Sequence, residues 1–214
     1  MTDKVQEIIK RPGCRVIRLI SGDSMTVPLP VFKKAPLSEG QEVIPEAYRQ
    51  RVLPMEAALA LEQASRMLMT RDRTEAEIRR KLSEAGYAAE TVEKTLAKLL
   101  DAKIINDKRY VENYLNMKTK RLGMGRIRRE LTLKGIQPDA IETALGEIDQ
   151  QVQLEAAVKH AQKALARKNS DIRHQNHLVF AALARRGFQP EVAKKAIEIA
   201  RSRLQQQEAD SFTG

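Results

Sequence analysis

The chain has 214 residues, with 38 Lys and Arg against 28 Asp and Glu, a formal net charge of +10. That length suffices for one sizeable domain or several small ones in series, and the basic balance points to a polyanionic partner, nucleic acid or an assembly built on it. Aromatic residues make up only 4% with no Trp, leaving few rings to stack on unpaired bases. The lone Cys14 excludes an internal disulfide and fits a reducing compartment. The opening MTDKVQEIIKRPG is charged and has no apolar core of a leader, and nowhere do about 18 apolar residues run together, so a cytoplasmic location is expected.

In chain order, residues 1–54 form a Pro-rich extension distinct from the remainder of the chain. The runs CRVIRLI and MTVPLPVF flank Ser21-Gly22-Asp23-Ser24, which predicts a β-hairpin with a Gly-containing turn. Pro28 and Pro30 each lack an amide donor and demote the second run to an edge strand or a partly extended loop.

From about Met55 the pattern turns helical and repeats. The segments IRRKLSEAGYAAETVEKTL from Ile78, IRRELTLKGIQPDAIETAL from Ile127 and VFAALARRGFQPEVAKKAI from Val179 superpose without gaps. Leu82, Leu131 and Leu183 align, as do Gly86, Gly135 and Gly187. Each copy reads as helix, tight turn, helix: the Gly suits the left-handed residue of a Schellman ending, and Tyr87, Ile136 or Phe188 after it packs back on the aligned Leu. Thr74-Glu75-Ala76-Glu77 reads as a capping box, and Pro138 and Pro190 open the following helices of the later copies. A further helical stretch precedes each pair, near Ala57, Arg109 and Leu154.

The expected architecture is mainly α: three tandem three-helix repeats (residues 55–105, 106–151 and 152–204) in an elongated curved array after a small β-hairpin. The polar stretch 205–214 is expected to fray.

Catalytic chemistry finds little support. His174 and His177 have i, i+3 spacing, but only Asp171 accompanies them, and surface or partly buried histidines are the better reading than a metal site. Gly123-Met124-Gly125 lacks the remaining signature of a dinucleotide loop or P-loop and reads as a flexible helix start. Carboxylates are scattered over helical polar faces, so the chain is expected not to be an enzyme.

Charge layout says more. From Lys118 to Lys134 seven bases face Glu130 alone, whereas Gly135 to Glu155 holds five acids and no base. In the first copy Arg71, Arg73, Arg79, Arg80 and Lys81 occupy the matching region. With Ile78 inward, Arg79 and Arg80 lie about 100° and 200° around an ideal helix and face out. Arg128 and Arg129 repeat this placement, while the third copy has Phe180 and Ala181 there. The candidate partner or DNA-binding residues are therefore Arg71, Arg73, Arg79, Arg80, Lys118, Lys120, Arg121, Arg126, Arg128 and Arg129. Base reading by a recognition helix is disfavoured, because the second helix of the middle copy carries Asp139, Glu142 and Glu147 and would repel phosphate. Tyr110 and Tyr114, four apart on one helix, are assigned to packing.

The stretches TRDRTEAEIRRKLSEAGY, INDKRYVENYL, GMGRIRRELTLKGI and LARRGFQPEVAKKAI, in this order, resemble the RecX family, regulators of the bacterial RecA recombinase. The resemblance covers about residues 55–204 and implies three three-helix repeats, no cofactor, a cytoplasmic location and direct binding to RecA in the groove of the RecA-DNA filament, restraining recombinase and coprotease activity in recombination, repair and the SOS response. Contact with DNA phosphates stands beside it. The alternative from another class is a non-specific nucleic-acid-binding or architectural protein acting alone.

Overall fold

The computed structural model describes residues 1–166 and 171–212, with side chains in the last helix described as far as Gln207. It divides into two compact units, residues 1–107 and 108 onward.

The first unit opens with β1 (Asp3–Arg11), β2 (Cys14–Leu19) and β3 (Ser24–Pro28), joined by β4 (Glu42–Val43) into an antiparallel sheet of order β3-β2-β1-β4. The hairpin expected around Gly22 is β2 and β3, and the glycine takes φ +95° at its turn. Two features depart from the expectation. The charged N-terminus is itself a strand, whose apolar alternation is broken where the register shifts between Val5 and Glu7. The run MTVPLPVF is split: it stays extended only to Pro28, and α1 (Leu29–Lys34) follows with Pro30 in its first turn, where a missing N–H leaves no gap. β3 is an edge strand, as Pro28 at its end requires.

Three helices follow: α2 (Pro45–Thr70), α3 (Glu75–Glu84) and α4 (Ala89–Asp101). α2 starts ten residues before the helical periodicity becomes evident at Met55, with Pro45 in its first turn and Pro54 inside it. Nor does the Pro-rich segment stand apart from the helices. Val5, Ile17, Leu19 and Val27 from the sheet belong to one apolar cluster with Tyr48, Leu59, Ile78, Leu82 and Leu96 from the helices. The capping box at α3 is complete: Thr74 Oγ1 accepts from Glu77 N–H at 3.2 Å and Thr74 N–H donates back to Glu77 at 3.3 Å.

The second unit holds α5 (Asp107–Lys118, whose first residue still belongs to the first unit), α6 (Met124–Leu133), α7 (Pro138–Gly146), α8 (Gln150–Leu165), α9 (Ile172–Arg185) and α10 (Pro190–Phe212). α10 carries helix into the stretch expected to fray, while residues 213–214 of that stretch lie outside the described residues.

The helix endings repeat as the glycine spacing requires. Tyr87, Ile136 and Phe188 each donate their N–H to Leu82, Leu131 and Leu183 at 3.2 Å. Gly86, Gly135 and Gly187 donate to Ser83, Thr132 and Ala184 at 2.9 Å, with φ of +85°, +78° and +85°. Gly123-Met124-Gly125 differs from the flexible start its composition indicates. Gly123 N–H donates to Arg186 C=O at 2.9 Å and Gly125 N–H to Gly187 C=O at 3.0 Å, so the start of α6 is docked on the turn between α9 and α10. Gln153, buried on α8, donates to the carbonyls of Thr119 (3.0 Å) and Leu122 (3.3 Å) and ties down the loop leading into α6.

Candidate functional site

Of the four candidate basic residues in the first unit, Arg71, Arg73 and Arg79 are committed to the fold. Arg71, at the end of α2, contacts the buried Glu77 carboxylate at 2.9 Å, so one acid serves both the capping box and the arginine. Arg73 Nε donates to Met67 C=O at 3.2 Å and satisfies a carbonyl of the last turn of α2. Arg79 spans two acids, Glu75 at 2.5 Å on its own helix and Glu93 on α4. Arg80 is the exception: its side chain is 58% exposed and only 3.8 Å from Glu84, which Lys81 already contacts at 2.7 Å.

The second unit repeats the division. Arg128 grips Glu142 of α7 through two parallel bonds of 2.6 and 2.8 Å, which hold the Glu142 carboxyl below its usual range and raise the guanidinium further. Arg126 Nε donates to Glu130 at 2.8 Å. Lys118 lies 5.8 Å from the centre of the Tyr114 ring, and Lys134 5.4 Å from that of Tyr110. The two rings stack at 6.3 Å and pack against the apolar cluster of Ile127, Leu131 and Ile141, and the Tyr114 hydroxyl donates to Glu130. Burial, and then that carboxylate, raise the Tyr114 hydroxyl pKa. These rings are therefore occupied in packing, as their spacing indicates.

Lys120, Arg121 and Arg129 are exposed, and among the described residues their side chains have no hydrogen-bond or ion-pair partner. Each outward Arg pair thus contains one clasp to the next helix (Arg79, Arg128) and one exposed guanidinium with no bond to another helix among the described residues (Arg80, Arg129). The clasp was hidden from helix-wheel geometry, which sees only one helix at a time. Its signal was nonetheless present, because Glu93 and Glu142 stand at the same distance beyond Arg79 and Arg128 in both copies. In the third copy both partners differ, Phe180 and Lys194 standing at the two positions.

The histidines separate too. Asp171 caps α9, accepting from the N–H groups of Arg173 (2.8 Å) and His174 (3.1 Å), which gives it a structural role beside His174 and His177. Among the described residues no group of three or more His, Cys, Asp or Glu side chains is placed to hold a metal ion. No helix among them is long and apolar enough to cross a membrane.

His160 of α8 lies 3.1 Å from Arg121 C=O and beside the Phe188 ring. Burial, followed by the charge of Arg186, holds its pKa below 6.5. A histidine pKa lowered by folding contributes stability above its unfolded value that is lost as pH falls through the folded one. Thermal melts are therefore expected to show the second unit weakening as pH falls below 6.5. His160→Gln should flatten that part of the profile; an unchanged slope would remove His160 as its source.

Family models match the helical parts in order: the RecX first three-helix domain over residues 60–99 and the second three-helix domain over residues 106–145. A regulatory protein RecX from Prosthecochloris aestuarii is 30% identical over 141 residues, covering 65% of this chain and 91% of that protein. The chain belongs to the RecX family. A crystal structure of a regulatory protein RecX agrees over 90% of this chain and 97% of its own, with TM-score 0.59 and 30% identity. The crystal structure of RecX from Lactobacillus salivarius gives TM-score 0.64 at 25% identity over 69% of this chain and 98% of its own. The RecX relative from Bacillus pumilus is 33% identical over 140 residues, and the chain spans 53% of its length. For the relative from Mannheimia succiniciproducens the span is 61%.

Proposed function

We propose that this chain is a non-enzymatic regulator that binds the RecA recombinase filament in the cytoplasm and restrains its recombinase and coprotease activities. Membership of the RecX family carries the reading, and the exposed Arg80, Lys120, Arg121 and Arg129 supply side chains that an acidic protein surface or a phosphate backbone would attract. The action is steric and allosteric: the bound helices bridge neighbouring protomers and obstruct duplex DNA and cleavage substrates, with no bond made or broken. The ten basic residues fall into two groups under this proposal. Arg80, Lys120, Arg121 and Arg129 meet the partner, while Arg71, Arg73, Arg79, Arg126 and Arg128 hold the helices that present them, and Lys118 does so through Tyr114.

The test is RecA-driven strand exchange and RecA-stimulated repressor cleavage with the purified chain added. Both reactions are expected to slow in a concentration-dependent way. Undiminished rates, with the chain folded by circular dichroism, would overturn the proposal.

A further inference from the structure

The outer edge of the sheet carries an unclaimed row of peptide groups. Leu19 N–H donates to Asp23 C=O at 2.9 Å and Leu29 N–H to Gly13 C=O at 2.8 Å, which sets the phase of the β2–β3 ladder. Alternation then makes Ile17–Met25 and Arg15–Val27 the bonded pairs. Ser24, Thr26 and Pro28 fall in the other phase, so their main-chain groups point away from β2, and among the described residues no strand pairs with β3 on that side. Pro28 places its missing donor there and its carbonyl caps the start of α1, which leaves the N–H and C=O groups of Ser24 and Thr26. Ser24 and Thr26 are exposed, and among the described residues neither of these N–H groups has a partner.

This edge borders a cleft of about 460 Å³ between β3, the first half of α2 and the start of α4. The cleft is acidic in a basic protein: Glu46, Glu56 and Glu90 line it against Arg49 alone. Glu90 is shared with Lys94 at 2.6 Å and Glu56 accepts from the Thr91 hydroxyl at 2.9 Å, while among the described residues Glu46 meets only the Gln50 amide at 3.4 Å. Leu53, 43% exposed, adds an apolar contact at the same place.

We propose that β3 is a docking edge for an extended, lysine- or arginine-bearing peptide segment of a partner protein, which pairs with Ser24 and Thr26 and sets its cationic side chains against Glu46 and Glu90. Strand addition satisfies the free peptide groups, and the carboxylates select a basic strand over an acidic one. The site lies within the first unit and stands independently of the RecA reading.

The test is residue-resolved amide exchange on the full chain, with a capped octapeptide of alternating lysine and valine and a matched one of alternating glutamate and valine. The lysine peptide is expected to slow exchange at Ser24 and Thr26 by roughly tenfold or more. Glu46→Lys combined with Glu90→Lys is expected to abolish the effect without altering the helical spectrum. No slowing at millimolar lysine peptide, or equal slowing by the glutamate peptide, would overturn the proposal. So would protection of both amides without peptide in a chain that sediments as a dimer, since a second copy would then hold the edge.

Discussion

Gly123→Ala is expected to be among the most damaging changes of its size in the second unit, costing about 4 kcal/mol or more. A Cβ at Gly123 would stand 2.2 Å from the carbonyl carbon of Gly187 and from Phe188 N. Those are backbone atoms of a turn already fixed by its Schellman bonds, so the clash cannot be relieved by swinging a side chain. Separation of the two segments would also break the bonds from Gly123 and Gly125 to Arg186 and Gly187. Gly146→Ala is the control, since a Cβ there meets nothing within 4 Å and a helical Gly-to-Ala change gains up to about 1 kcal/mol. Chemical denaturation of both variants checks the contrast; comparable midpoints would show that the α6 start does not depend on this contact.

The second large effect concerns the partner. Reversing Lys120, Arg121 and Arg129 together to Glu is expected to lower the apparent affinity for RecA filaments at least about tenfold while leaving the melting curve in place, because these side chains have no internal partner to lose. The double variant Arg128→Glu with Glu142→Arg should behave oppositely. It preserves an ion pair between α6 and α7 and should keep inhibition near that of the parent chain, whereas Arg128→Glu alone replaces that pair with two facing carboxylates. Inhibition by the triple variant equal to the parent's, or loss of inhibition in the pair-swapped one, would reverse the assignment of contact and clasp residues.

What the sequence disclosed was local. The three Schellman endings were legible because a glycine, the apolar residue after it and a leucine four residues before it recur at fixed spacing, and the Thr74 capping box because its two partners are three residues apart. The strand at the N-terminus was not, since a register shift between Val5 and Glu7 breaks the alternation by which strands are recognised. The start of α2 was obscured by Pro45 and Pro54, residues that normally argue against helix. Long-range relations were the least visible. The pairing of Gly123 and Gly125 with the turn at Gly187 joins residues more than sixty positions apart, and the composition of the glycine pair alone fits a flexible start equally well. The basic residues were found as a group, but which were consumed by Glu77, Glu93 or Glu142 depended on the neighbouring helix.

Co-sedimentation of the chain with RecA assembled on single-stranded DNA, beside the same DNA bare and across a salt series, tests the central claim most directly. Saturable retention on the filament is expected at salt concentrations where retention on bare DNA has been lost. Retention on bare DNA as strong as on the filament, falling steeply with salt on both, would contradict it and mark an autonomous nucleic-acid binder.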